Sequence, residues 1–291
     1  MKPELIADYK CEVGEGPLWD PQKKCLYWSD IPNGKMFRYY PDRNEHEQFY
    51  NGEIVGGFTI QENGSLLLFM SGGAIATWNK GNLNYLIDKL PGEENNRFND
   101  VFTDPNGRVF CGTMPQDSSK GPARLGTLYR LDRDLRIFPI IRKIGISNGM
   151  GLTPDRTQLY YTDTDDNQIH IFDYTIETGS ISNKRVFVDI KPESDGYPDG
   201  MTVDAEGYVW SARWGGSSVI RYDTSGREER RITLPAKNVT SVIFGGDKYE
   251  DMYITTGGGE DKASNGIGAG GLFRIQPGVK GVAEFSSSIG I

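Results

Sequence analysis

Short runs of alternating apolar and polar residues, each opened by a polar turn, recur along the whole chain, and no long stretch keeps an uninterrupted 3.6-residue apolar period. Stacking these segments gives six copies, at residues 20–28, 61–69, 104–110, 154–161, 204–210 and 246–254. The step from one copy to the next is about 40 to 50 residues, the length of one four-stranded propeller blade. A further alternating run follows each copy, at 35–40, 74–78, 127–131, 168–172, 219–222 and 271–275. Outer runs close five of the repeats, at 47–50, 85–87, 139–142, 185–188 and 230–234. For the sixth, residues 5–9 at the start of the chain carry the required pattern and residues 282–285 compete for the same slot; an N-terminal strand there would leave no exposed edge. These patterns predict an all-β, six-bladed β-propeller of four-stranded antiparallel blades, one domain spanning 1–291 around a central channel. A β-sandwich with chance similarity among its hairpins would not yield six aligned copies with nothing left over.

The strand that opens each repeat carries the candidate chemistry, because its first residues face the channel. Aligning the six gives one axis-facing position per blade: Glu15, Gly56, Asn99, Asn148, Asp199 and Thr240. Asn-Gly and Asp-Gly are common turn formers, but here oxygen donors recur at one register of repeats that are otherwise apolar there. Two carboxylates and two carboxamides converging on a narrow axis need a counter-charge, which a cation supplies. Neither His46 nor His170 and none of the cysteines falls on the ring, so the donors are oxygens suited to one hard divalent ion such as Ca²⁺, Mg²⁺ or Mn²⁺. Zn²⁺ and Fe²⁺ stay compatible without being selected.

Composition sharpens this picture in three ways. The 37 glycines and 11% aromatics suit many short strands and tight turns. A net charge of −8 repels phosphate backbones and anionic lipid, which argues against nucleic acid and membrane partners and for a small molecule or a cation. Cys11, Cys25 and Cys111 are an odd number without CxxC spacing and are expected to be reduced packing residues. The N-terminal stretch lacks an apolar run suited to a signal peptide, and no span of about 18 apolar residues occurs, so a cytoplasmic location is expected.

Four motifs, Gly14-Glu-Gly-Pro17, Arg97-Phe-Asn-Asp100, Ser147-Asn-Gly-Met150 and Tyr197-Pro-Asp-Gly-Met201, follow one another in an order that resembles the family of senescence marker protein (regucalcin), gluconolactonase and bacterial xylonolactonase. Residues 182–187 and Trp214-Gly-Gly216 resemble the bacterial sugar lactonases in particular. The resemblance implies a metal-dependent hydrolase that opens a sugar aldonolactone, with the divalent metal held by Glu15, Asn148 and Asp199 and the substrate contacted by Arg97 and Asn99. Asp199, the ring carboxylate placed beside both metal and water, is expected to act as general base, with a metal-bound hydroxide as the variant because coordination lowers its basicity. Some animal members place a substrate-contacting glutamate where this chain reads Lys120-Gly-Pro-Ala-Arg124, so that contact is not expected here. Trp214, in a Gly-rich stretch, is the tryptophan expected to line the pocket, whereas Trp19, Trp28 and Trp210 read as core. An organophosphate (phosphotriester) hydrolase and a non-catalytic calcium-binding regulator are the rival readings. A protein-interaction propeller would not explain the acidic ring.

Overall fold

The computed structural model describes residues 2–117 and 125–291. Twenty-four strands form six antiparallel sheets of four. The first holds β2 (Gly14–Asp20), β3 (Cys25–Asp30), β4 (Lys35–Tyr40) and β5 (Glu45–Asn51). The second holds β6 (Val55–Ile60), β7 (Leu66–Met70), β8 (Ile75–Asn79) and β9 (Asn82–Ile87), and the third β10 (Asn96–Thr103), β11 (Val109–Pro115), β12 (Gly126–Leu131) and β13 (Ile137–Ile144). The fourth runs β14 (Ser147–Leu152), β15 (Gln158–Asp163), β16 (Gln168–Thr175) and β17 (Ser180–Asp189), and the fifth β18 (Tyr197–Val203), β19 (Val209–Trp214), β20 (Ser218–Tyr222) and β21 (Glu228–Thr233). The sixth takes β22 (Asn238–Gly245), β23 (Asp251–Gly257) and β24 (Leu272–Ile275) and is completed by β1 (Glu4–Ala7) from the N-terminus. Each opening strand, β2, β6, β10, β14, β18 and β22, lies beside the next, and β22 returns to β2, so the ring closes as a six-bladed propeller.

The core explains why the second strands read as apolar runs instead of alternating. A blade packs on both faces, so successive residues serve successive interfaces. Leu66, Leu68 and Met70 point toward the first blade, while Leu67 and Phe69 point toward the third. Leu26 and Trp28 likewise pack on the sixth blade, and Cys25 and Tyr27 on the second. One apolar cluster fills each interface between neighbouring blades. All three cysteines are buried and unpaired within this packing.

The competition between residues 5–9 and 282–285 resolves in favour of the N-terminal strand, with Leu5 opposite Phe273. The C-terminal tail does something else. It leaves the fifth and sixth blades, where the Ala205 amide donates to the Lys280 carbonyl and the Gly281 amide to Tyr249, and crosses the axis. On the far side the Ser287 amide donates to Ile60 and the Ser288 amide to Gly107, in the second and third blades. Glu284, Phe285 and Ser286 thereby close a chamber of about 110 Å³ that all six opening strands line. Among the described residues no helix is long and apolar enough to cross a membrane.

Candidate active site

Five opening strands break their pairing register at the axis-facing position, and β2 breaks directly after Glu15, which still pairs with Ser29. The irregularities fall between Glu15 and Leu18, Val55 and Gly57, Phe98 and Val101, Ser147 and Met150, Pro198 and Met201, and Val239 and Ser241. A bulge leaves residues unpaired on its strand and re-aims their side chains, here toward the axis. The glycines of Asn148-Gly149 and Asp199-Gly200 serve this geometry and not a hairpin turn. A Cβ on Gly149 would lie 2.4 Å from the Met201 amide nitrogen and one on Gly200 2.1 Å from Ser241 Oγ, so the next blade can approach only a bare Cα.

The six ring positions do not behave alike. Glu15, Asn99, Asn148 and Asp199 are all buried, with 3 to 6% of their surface exposed. Thr240 turns its hydroxyl away, donating to the Gly14 carbonyl at 2.6 Å across the seam between the last and first blades. Gly56 leaves no opening: a Cβ there would sit 1.8 Å from the Phe98 carbonyl oxygen, so the backbone of the third blade fills the space.

A directed chain of hydrogen bonds orders the amides. Arg97 Nη1 donates to Asn99 Oδ1 at 2.6 Å and to the Phe98 carbonyl at 2.9 Å. Asn99 Nδ2 donates in turn to the Ser147 carbonyl at 2.8 Å and to Asn148 Oδ1 at 3.3 Å. Asn148 Nδ2 donates to Thr164 Oγ1 at 2.9 Å, and that hydroxyl donates to the Pro198 carbonyl at 2.7 Å. Four of the five expected site residues, Arg97, Asn99, Asn148 and Asp199, are thus tied into one network, the last through the backbone that precedes it. Glu15 accepts from the Gly16 amide at 2.9 Å and joins the others through charge.

The electrostatics expose a residue missed in the sequence. Asp100 shares its bulge with Asn99, so two consecutive side chains reach the axis, and its carboxyl is pushed up to about 7 by burial against the opposing pull of Arg97. Burial, then the neighbouring charges of Asp199 and Asp100, hold Glu15 well above the usual carboxylate range. Asp199 is raised the same way, by burial and then by Asp100, against hydrogen bonds from Asn148 and the Gly200 amide. Arg97 is lowered to about 10 by burial although all three carboxylates favour its charge. The signal for Asp100 lay inside the motif Arg97-Phe-Asn-Asp100, but a regular strand would have turned it to the opposite face from Asn99.

With all three carboxylates ionised, the Arg97 guanidinium would leave two negative charges uncompensated among the described residues, the charge of one divalent cation. The described residues contain no grouping of three or more His, Cys, Asp or Glu placed to hold a metal. The Asn148 amide oxygen and the carboxylates of Glu15 and Asp199 are the oxygen donors that the ring offers to a cation. That all-oxygen set fits a hard ion. Trp214 is half-buried at the end of β19, and Trp19, Trp28 and Trp210 are core. The stretch from Lys120 to Arg124 lies outside the described residues.

Residues 13–258 match the family model described as SMP-30/Gluconolactonase/LRE-like region. The chain is 42% identical to a pentonolactonase, XacC, of Haloferax volcanii, over 98% of this chain and 97% of that protein. It superposes on a luciferin-regenerating enzyme with a TM-score of 0.90 at 31% identity, covering 99% of this chain and 100% of the other. The structure of a calcium-binding protein, regucalcin, from Agrobacterium tumefaciens gives 0.87 at 25% identity, covering 100% and 98%.

Proposed function

The chain belongs to the SMP-30/gluconolactonase/LRE-like family, and from that premise we propose that it is a sugar lactonase, hydrolysing a five- or six-carbon aldonolactone to the aldonic acid with one divalent metal ion held by Glu15, Asn148 and Asp199. The observation that carries this reading is the gathering of buried Glu15 and Asp199 and half-buried Asp100 around one axis, with Arg97 the cation that acts on all three among the described residues. Oxygen donors of this kind put Ca²⁺ first, with Mn²⁺, Mg²⁺, Zn²⁺ or Fe²⁺ as substitutes. The likeness to a pentonolactonase favours xylono- or arabinonolactone over gluconolactone as substrate. Three buried, unpaired cysteines suit a reducing, cytoplasmic setting.

Hydrolysis of a lactone forms a bond from water oxygen to the carbonyl carbon and breaks the ring C–O bond. The bound ion supplies Lewis acidity to the carbonyl oxygen, worth several kcal/mol of transition-state charge stabilisation. Asp199 takes the water proton as general base and returns it to the departing ring oxygen. Its carboxyl is raised by burial first and by Asp100 second, and an ion held beside it would favour the ionised form. Arg97, with Nη1 committed to Asn99 and the Phe98 carbonyl, presents its remaining N–H groups to substrate oxygens. Asn99 has both its oxygen and its amide hydrogens engaged within the network, so its part is to fix Arg97 and Asn148 and to offer its face to the sugar.

The test is a panel of xylono-, arabinono- and gluconolactone with each divalent ion restored to the metal-free protein, followed by proton release. Turnover that needs an added ion supports the reading. Tight calcium binding with no turnover of any sugar lactone would replace it with a calcium-binding regulator, and preferential turnover of phosphotriesters would replace it with an organophosphate hydrolase.

A further inference from the structure

We propose that Thr164, which stands outside the ring, is a positioning residue whose single hydroxyl orients the Asn148 carboxamide and anchors the backbone that carries Asp199. The inference rests on the metal-centred reading above. Thr164 opens a short 3-10 turn, Thr164–Asp166, between β15 and β16, and is buried. Its own backbone is fixed twice, by its amide donating to the Ile146 carbonyl at 3.0 Å and by its carbonyl accepting from the Asn167 amide at 3.0 Å.

A hydroxyl has one hydrogen and two lone pairs. Thr164 spends the hydrogen on the Pro198 carbonyl, so toward Asn148 it can only accept, and Asn148 must present Nδ2 to it. With Nδ2 held at the hydroxyl, Oδ1, its one cation-binding atom, is left on the side away from Thr164, with a long contact from Asn99 at 3.3 Å. A flipped amide would set Oδ1 against the hydroxyl lone pairs and turn two N–H groups toward a cation.

The Pro198 bond has counterparts at the other two candidate ligands. The carbonyl before Asn148, that of Ser147, accepts from Asn99, and the carbonyl before Glu15, that of Gly14, accepts from Thr240. Each ligand-bearing bulge is thus pinned at the preceding carbonyl by a side chain of the blade before it. Thr164 does this for Asp199 while also setting Asn148, so one hydroxyl couples ligands on two blades.

The experiment titrates Ca²⁺ and Mn²⁺ alone into the metal-free full-length protein by calorimetry. The variants are Thr164→Val, Thr164→Ser, Thr164→Ala and, as control, Thr162→Val. Thr162 lies two residues upstream in β15 with a buried hydroxyl that has no hydrogen-bond partner among the described residues. Removing a bond that orients a metal ligand typically costs about 10- to 100-fold in metal affinity. Thr164→Val should weaken binding by that factor, with Thr164→Ser restoring it to within about twofold and Thr162→Val leaving it unchanged. If Thr164→Val does not fold, the contrast between Thr164→Ala and Thr164→Ser carries the same comparison. Unchanged affinity in Thr164→Val or Thr164→Ala overturns the proposal and leaves the metal reading standing. So does equal loss in Thr164→Ser, which keeps the hydroxyl, or equal loss in Thr162→Val. A wild-type protein that binds neither ion overturns the metal reading itself and this inference with it.

Discussion

At the scale of single residues, the ring gathers buried carboxyls whose charged forms are disfavoured. Glu15 and Asp199 are each raised well above their usual range by burial first and by carboxylate neighbours second. A raised carboxyl makes folding penalise the charged form. That penalty is absent below the unfolded-state range near 4, where both states hold the proton, and grows as pH rises through the folded value. Cation binding removes the penalty by displacing protons, so affinity should weaken as pH falls. Asp199→Asn and Glu15→Gln should therefore have opposite effects on function and on metal-free stability. Turnover in metal-buffered assays should fall by at least about 10²-fold, since on the proposed mechanism each variant removes a ligand charge and the first also removes the base. The melting temperature of the metal-free variants should rise at pH 8 and match wild type at pH 3. Wild-type turnover in either variant would show that the ligand set is different.

At the scale of elements, the strands were readable because each apolar run belongs to one blade and needs no information from elsewhere. Cys25, Leu26, Tyr27 and Trp28 are all buried, as a run packed on both faces requires. The same holds for the axis-facing register, which repeated six times. What stayed hidden depends on contacts between blades. Asp100 reaches the axis only through the bulge after Phe98, Gly56 is filled by the neighbouring Phe98 carbonyl, and Thr164 acts through Pro198 on the next blade. The role of the tail was hidden for a related reason: residues 282–285 carry a strand-like pattern but cross the axis as a cover. Burial there pushes the Glu284 carboxyl up to about 7. The sign is that of a charge folding disfavours, so Glu284→Gln should stabilise the protein above pH 7 and be neutral below about pH 4. Because Glu284 is only partly buried, the gain should be about 1 kcal/mol, a rise of about 2–4 °C in melting temperature. A melting temperature that falls at pH 8 would show that the carboxylate holds the tail in place.

At the scale of the whole molecule, a closed ring fixes six strand ends around one axis, so the spacing of Arg97, Asn99, Asn148 and Asp199 is set by blades packed on both faces and not by mobile loops. A rigid, polar, buried site discriminates most strongly by what a ligand fails to offer, because each unmet donor or acceptor stays desolvated. Sugar lactones bring hydroxyls that can meet Arg97 and the ring oxygens, whereas γ-butyrolactone brings only the ester. The ratio of kcat/KM between xylonolactone and γ-butyrolactone should then be on the order of 10⁴. The product adds a second argument. The aldonic acid is ionised at neutral pH and departs from a chain of net charge −8, while the lactone enters neutral, so product inhibition should be weak and should grow weaker as salt is lowered. Arg97→Ala should lower kcat/KM for the sugar lactone by about 10²-fold and leave γ-butyrolactone almost unchanged, which brings the ratio between them down to about 10². A rise in KM alone would mean that Arg97 holds substrate and transition state alike, and a fall in kcat that it also meets the oxygen on which charge develops. Comparable kcat/KM for the two lactones in the wild-type protein would mean that the pocket does not read hydroxyls at all.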